Sequence, residues 1–162
     1  MPLPRLAMSG LSALAAKTMR RPPDFIIGAD NHDGPYMRRW WIIPRNPIFN
    51  VYLHEFLRSD EDRALHDHPW LSLSIMVRGF LTEQTSAGRR TIRTGSITFR
   101  RATLAHRIEV PDPLMAEGFH PITLFITGPR LREWGFWCPQ GWVHWKRFTA
   151  PGDVGNIGRG CA

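Results

Sequence analysis

Beyond residue 24 the chain sustains no helical period. Short apolar or alternating runs follow one another, separated by Gly, Pro, Asn or Asp. The runs Trp40–Ile43, Phe49–Leu57, Leu71–Val77, Phe80–Thr85, Arg90–Arg93, Ser96–Phe99, His106–Val110, Ile122–Thr127, Glu133–Cys138 and Trp142–Phe148 read as strands. Turn signals separate them: Arg45-Asn46-Pro47, Ser59-Asp60-Glu61-Asp62, Arg78-Gly79, Ala87-Gly88, Thr94-Gly95, Pro111-Asp112-Pro113, Gly128-Pro129 and Pro139-Gln140-Gly141. This spacing argues for an all-β sandwich or barrel. At 162 residues the chain is long enough to give one such domain its own core. The expected layout has three parts. Residues 1–23 form a short N-terminal helix or a flexible tail, with Leu11, Leu14, Ala15 and Met19 at helical spacing and a stop at Pro22-Pro23. Residues 24–148 form the β-barrel domain, and the Gly-rich residues 149–162 form a flexible C-terminal tail.

His66 and His68 stand one residue apart at the head of the run that ends at Gly79. Alternate residues of a strand share a face, so both imidazoles can turn toward one ion while Asp67 turns away. His106 follows Gly95 by eleven positions and can complete the set from a later strand. Continuing the register past His68 places Ser72, Ser74 and Met76 on the same inward face. Two inward serines are costly unless they hydrogen-bond or line a wet pocket, so a cavity is expected around the ion.

The same residues resemble the two signature motifs of the cupin superfamily. The first motif runs His-x-His, three or four residues, Glu, six residues, Gly. Here His66 and His68 are followed by three residues, then Ser72, then six residues and Gly79. The second runs Gly, five residues, Pro-x-Gly, two residues, His. Here Gly95 opens it, Arg101 and Thr103 stand in the Pro and inner Gly places, and His106 closes it. The chain is also similar to uncharacterised bacterial and phage cupins with HDHPW and WGF/GWVHW segments. It matches them at His66-Asp67-His68-Pro69-Trp70, Trp134-Gly135-Phe136 and Gly141-Trp142-Val143-His144-Trp145. The resemblance covers roughly residues 40–148. It implies an RmlC-like cupin jelly roll, a double-stranded β-helix, with one divalent metal ion per chain on His66, His68 and His106.

Ser72 stands where the family usually has a carboxylate ligand. Three neutral imidazoles leave the charge of a dipositive ion uncompensated, which favours an anionic ligand in its open positions. Some cupin dioxygenases have such three-His iron sites, so the resemblance implies Fe(II) first, with Zn, Mn, Ni or Cu as alternatives. The expected function is a non-haem iron oxygenase or dioxygenase acting on a small anionic substrate. Competing readings are a Zn-, Mn- or Ni-dependent isomerase or hydrolase, and a non-catalytic sensor or phage accessory protein. Glu83 is a candidate for the missing carboxylate. Tyr52, Trp134 and His144 are further pocket candidates. His54 is a candidate for orienting the substrate, and Arg78, Arg93, Arg100, Arg107 and Arg130 are candidates for clamping its acid group. Thiol dioxygenases keep a His and a Tyr on the last strand; here Lys146 stands in the place of the Tyr after His144, which speaks against that activity.

The net charge of +7 would attract polyanions. The arginines are scattered, however, and no nucleic-acid motif accompanies them, so nucleic acid is not the favoured partner. No apolar run approaches the length of a membrane span. Cys138 and Cys161 make no disulfide framework, so a reducing, cytoplasmic location is expected, with Cys138 a small apolar filler. Edge strands and the aromatic set favour a homodimer.

Overall fold

The computed structural model describes residues 3–60, 64–111, 118–152, 155–156 and 158–162. Its strands form two six-stranded antiparallel sheets, as an all-β jelly roll requires. The first sheet is ordered β1 (Phe25–Ile27), β2 (Met37–Trp41), β3 (Asn50–Phe56), β10 (Ile122–Thr127), β5 (Ser72–Arg78) and β8 (Ile97–Arg100). The second is ordered β12 (Gly141–His144), β11 (Gly135–Cys138), β4 (Leu65–His66), β9 (His106–Glu109), β6 (Phe80–Thr85) and β7 (Gly88–Arg93). Consecutive strands often lie in different sheets, so the chain rolls up and encloses a space between them.

An apolar cluster of Met37, Phe56, Met76, Leu81, Ile92, Ile108 and Val110 fills part of that space. The N-terminal segment takes the helical option. Helix α1 (Arg5–Thr18) buries Ala15, and Leu11 and Met19 pack with it against Trp40, Leu53, Val77, Ile122 and Leu124. Those three helical residues recur every four positions, so one stripe caps the outer face of the sheet. Along β3, Tyr52, His54 and Phe56 are left to face inward. Gly79 and Gly95, the two motif glycines, adopt φ of 81° and 86° at the chain reversals beside β5. A side chain would be strained at either position.

Three expectations fail in informative ways. The run Trp142–Phe148 is not one strand: it breaks after His144 into a short helix, α2 (Trp145–Phe148). Trp145 and Phe148 are three apart and both buried against Phe136, a pairing that one helical turn permits and a strand would split between faces. The described residues of 149–162 are bound back onto the barrel rather than trailing. Ala150 N donates to Asn156 O at 3.1 Å and Gly160 N to Phe148 O at 2.9 Å. Cys161 is joined to Cys138 by a disulfide, with Cα atoms 5.5 Å apart. Cys138 is therefore a staple rather than a plain filler, and the ground for expecting a reducing, cytoplasmic location is gone. Glu61-Asp62 and Asp112-Pro113 of the expected turns lie outside the described residues. Among the described residues no helix is long and apolar enough to cross a membrane.

Candidate metal centre

His66 ends β4, which lies between β11 and β9. It pairs with Phe136 on one side and His106 on the other. The extended backbone outlasts the strand: Asp67 N donates to Gly135 O at 3.0 Å, and His68 N to Ala102 O at 3.1 Å. The i, i+2 placement of the two histidines therefore holds. The inward register does not run unbroken from His68 to Ser72, because Pro69-Trp70 carries the chain across to β5 in the other sheet.

One nitrogen each from His66, His68 and His106 lies within 4.8 Å of the others. His68 Nε2 and His106 Nε2 are 2.9 Å apart. His106 Nδ1 lies 2.7 Å from Glu83 Oε1. Burial alone would raise the Glu83 carboxyl. The hydrogen bond from His106 and the charge of Arg100 instead hold it well below the usual range. An ionised Glu83 can only accept, so His106 Nδ1 carries the proton and its Nε2 lone pair faces the cluster. His66 Nδ1 likewise lies 3.1 Å from Asp60 Oδ2. Burial pushes His68 well below the ordinary histidine value, helped by His66 and His106. Burial also takes His106 down to about 4, against the opposing pull of Glu83. Convergent imidazole nitrogens with carboxylates behind two of the rings form a donor set that could hold a divalent transition-metal ion.

Glu83 does face inward and is 0% exposed. It stands behind His106, however, and is not part of the three-nitrogen group. Its Oε1 also accepts from Arg100 Nε at 2.5 Å and its Oε2 from Arg90 Nε at 2.7 Å. Arg100 Nη1 donates to Ser74 Oγ at 2.7 Å. This chain ties β6 of one sheet to β8 and β5 of the other through the interior.

Asp67 faces away from the ion, as alternation demands, yet it is 0% exposed. Its Oδ1 accepts from Gly135 N at 2.9 Å. Its Oδ2 accepts from the indoles of Trp137 and Trp142 at 3.3 and 3.2 Å, and Arg132 Nη1 lies 2.9 Å away. The carboxylate between the two histidines thereby anchors the β11–β12 hairpin. At Gly135 a Cβ would come within 2.2 Å of Val143 O, so only glycine fits there. The HDHPW and WGF/GWVHW segments are in this way parts of one knot.

A cavity of about 470 Å³ opens beside the histidines. Tyr52, His54, Ser74, Met76 and Trp134 line it. Trp134 stacks between His68 and Trp145, at 6.4 and 5.7 Å. Ser72 is buried one register step from the wall. Other candidates lie elsewhere. His144 meets Glu133 at 2.8 Å and caps α2. Arg78 donates to His120 O, Arg93 lies over Phe80, and Arg107 is bonded to Gln84 and Glu109. Of the arginine candidates Arg100 and Arg130 line the cavity, and Arg39, which was not a candidate, lines it too. The sequence signal for Arg39 was alternation, and it was missed because the expected strand began at Trp40, one residue later.

No family model matches the chain, and no curated protein matches it. Solved structures are similar to it. An RmlC-like cupin from Shewanella frigidimarina is 16% identical over 65% of this chain and 90% of that one, with a TM-score of 0.45. A cupin superfamily protein from Desulfitobacterium hafniense is 11% identical over 57% and 77%, with a TM-score of 0.46. FeII HppE is 12% identical over 63% and 55%, with a TM-score of 0.50. The likeness is one of fold. The chain has the cupin, RmlC-like jelly-roll fold, and a group of three histidines able to hold a metal ion lies within it.

Proposed function

We propose that the protein is a metal-dependent cupin enzyme, a non-haem iron oxygenase acting on a small anionic substrate. The observation that carries this reading is the convergence of three imidazole nitrogens on the wall of a substrate-sized cavity. A divalent ion held by His66, His68 and His106 would supply Lewis acidity and, as Fe(II), the redox chemistry with oxygen that side chains lack. The protein's own groups do the rest. Glu83 and Asp60 fix the orientation of His106 and His66. Arg100 keeps Glu83 ionised, so the proton stays on His106 Nδ1. Trp134 and Trp145 shield the ring of His68 on one side. With no carboxylate among the three ligands, an anionic substrate finds uncompensated positive charge there. FeII HppE, which shares the fold, is named as an iron(II) protein.

The test is elemental analysis of freshly purified protein, followed by anaerobic Fe(II) loading and measurement of oxygen uptake with a panel of thiols, diketones and hydroxy acids. Oxygen uptake abolished by His66→Ala and His106→Ala supports the proposal. One zinc per chain with no oxygen consumed replaces it with a hydrolase or isomerase. Absence of any bound metal, with no effect of a chelator, overturns it.

A further inference from the structure

Arg39 projects from β2 onto the cavity wall. Its Nε donates to His54 Nε2 at 2.9 Å, and its guanidinium lies over the Tyr52 ring at 4.9 Å. Among the described residues no carboxylate pairs with it, and its Nη1 and Nη2 donate to nothing. The other interior arginines are answered: Arg100 by Glu83, and Arg58 by the carbonyls of Gly34 and Ser59. Arg45, stacked on Trp41 at 5.7 Å, brings a second positive charge toward the same end. Burial lowers the Arg39 pKa to about 10. Arg39 is half-buried, and two of its guanidinium nitrogens are left open to the cavity for an acceptor.

The space between Arg39 and the three histidines is walled by rings. Tyr52 and His54 stack at 5.8 Å. His54 lies 5.0 Å from Phe125, which lies 6.5 Å from His68. Across β2 and β3 the register sets Arg39 opposite His54. The cavity wall thus carries a forked cation as well as the imidazole nitrogens, with aromatic surface beside both.

We infer that Arg39, steadied by His54 and Tyr52, is an anion subsite that takes the carboxylate of a flat, unsaturated organic acid whose far end reaches the three histidines. The last clause rests on the proposed metal site; the subsite itself does not. The two free guanidinium nitrogens match the two coplanar oxygens of a carboxylate. A planar acid also fits between rings, where a tetrahedral phosphate leaves part of its surface without partners.

The test is calorimetric titration of metal-stripped protein with 4-hydroxycinnamate, its neutral amide and inorganic phosphate, repeated after Co(II) loading. The acid is expected to bind metal-stripped protein, and the amide to bind roughly tenfold or more weakly. Arg39→Gln should lose roughly tenfold or more for the acid and nothing for the amide. Arg39→Lys, which retains a charge but no fork, should fall between. If Arg39→Gln does not fold, the acid-to-amide ratio in the wild type and in Arg39→Lys decides. Equal binding of acid and amide, wild-type binding of the acid by the Arg39 variants, or preferential phosphate binding that needs Arg39 would each overturn the assignment. Failure of Co(II) to bind would sink the metal reading and leave the metal-stripped comparison intact.

Discussion

Replacing Glu83 by Gln isolates the charge that lies behind the metal candidates. Glu83 is fully buried, and the Arg100 side chain is only 5% exposed. Removing one partner of such a pair costs about 3–5 kcal/mol, because the other charge is left in a poor solvent. A glutamine can still present one oxygen to Arg100 and His106. Arg90, with a side chain 56% exposed, can turn to water. The lower end of the range, about 3 kcal/mol, is therefore expected. In a domain of this size that lowers the melting temperature by about 6–12 °C. His106 also loses the carboxylate that directs its proton, so metal affinity should fall about 10–100-fold. Circular-dichroism melts of metal-stripped protein read the first effect, and Co(II) titration the second. A Glu83→Gln, Arg100→Met double variant should recover much of the stability, since no orphaned cation remains. A Glu83→Gln protein that melts within about 2 °C of wild type and binds Co(II) unchanged would refute the reasoning.

Asp67→Asn should cost about 1–3 kcal/mol, since either orientation of the amide leaves at least one of four donors facing an N–H. Thermal melts measure this, and Co(II) binding should weaken with it because His66 and His68 flank the residue. Reducing the Cys138–Cys161 bond, which closes a 23-residue separation, should cost about 3 kcal/mol. A melt with and without dithiothreitol checks that, and identical curves would mean the staple is not formed. Burial, reinforced by Arg39, holds His54 neutral well below the ordinary histidine value. The unfolded chain therefore takes up a proton at His54 that the folded one refuses, and stability falls as pH drops below about 6.5. His54→Gln should flatten that part of the stability–pH curve, and an unchanged slope would exclude His54 as a contributor.

Legibility in the sequence followed the range of the interaction. The three histidines could be read from alternation and motif spacing alone, since both are local. Strand positions were nearly right for the same reason, and the errors cluster at ends. Arg39 sat one residue before an expected strand, and so fell off its face. Glu83 was seen as a possible inward carboxylate, but its actual place behind His106 depends on the β6–β9 pairing. Arg78 and Arg107 were candidates in the sequence, but the fold gives them a carbonyl and a carboxylate as partners away from the cavity.

The pattern of short alternating runs and the His-x-His spacing sufficed for an all-β barrel with a three-imidazole cluster, because periodicity and turn chemistry act between near neighbours. The disulfide from Cys138 to Cys161, the Asp67 knot and the Glu83–Arg100 link needed the folded chain. Each joins residues from distant stretches, and only the packing of one sheet on the other decides which buried charges meet and which, like Arg39, are left facing the cavity.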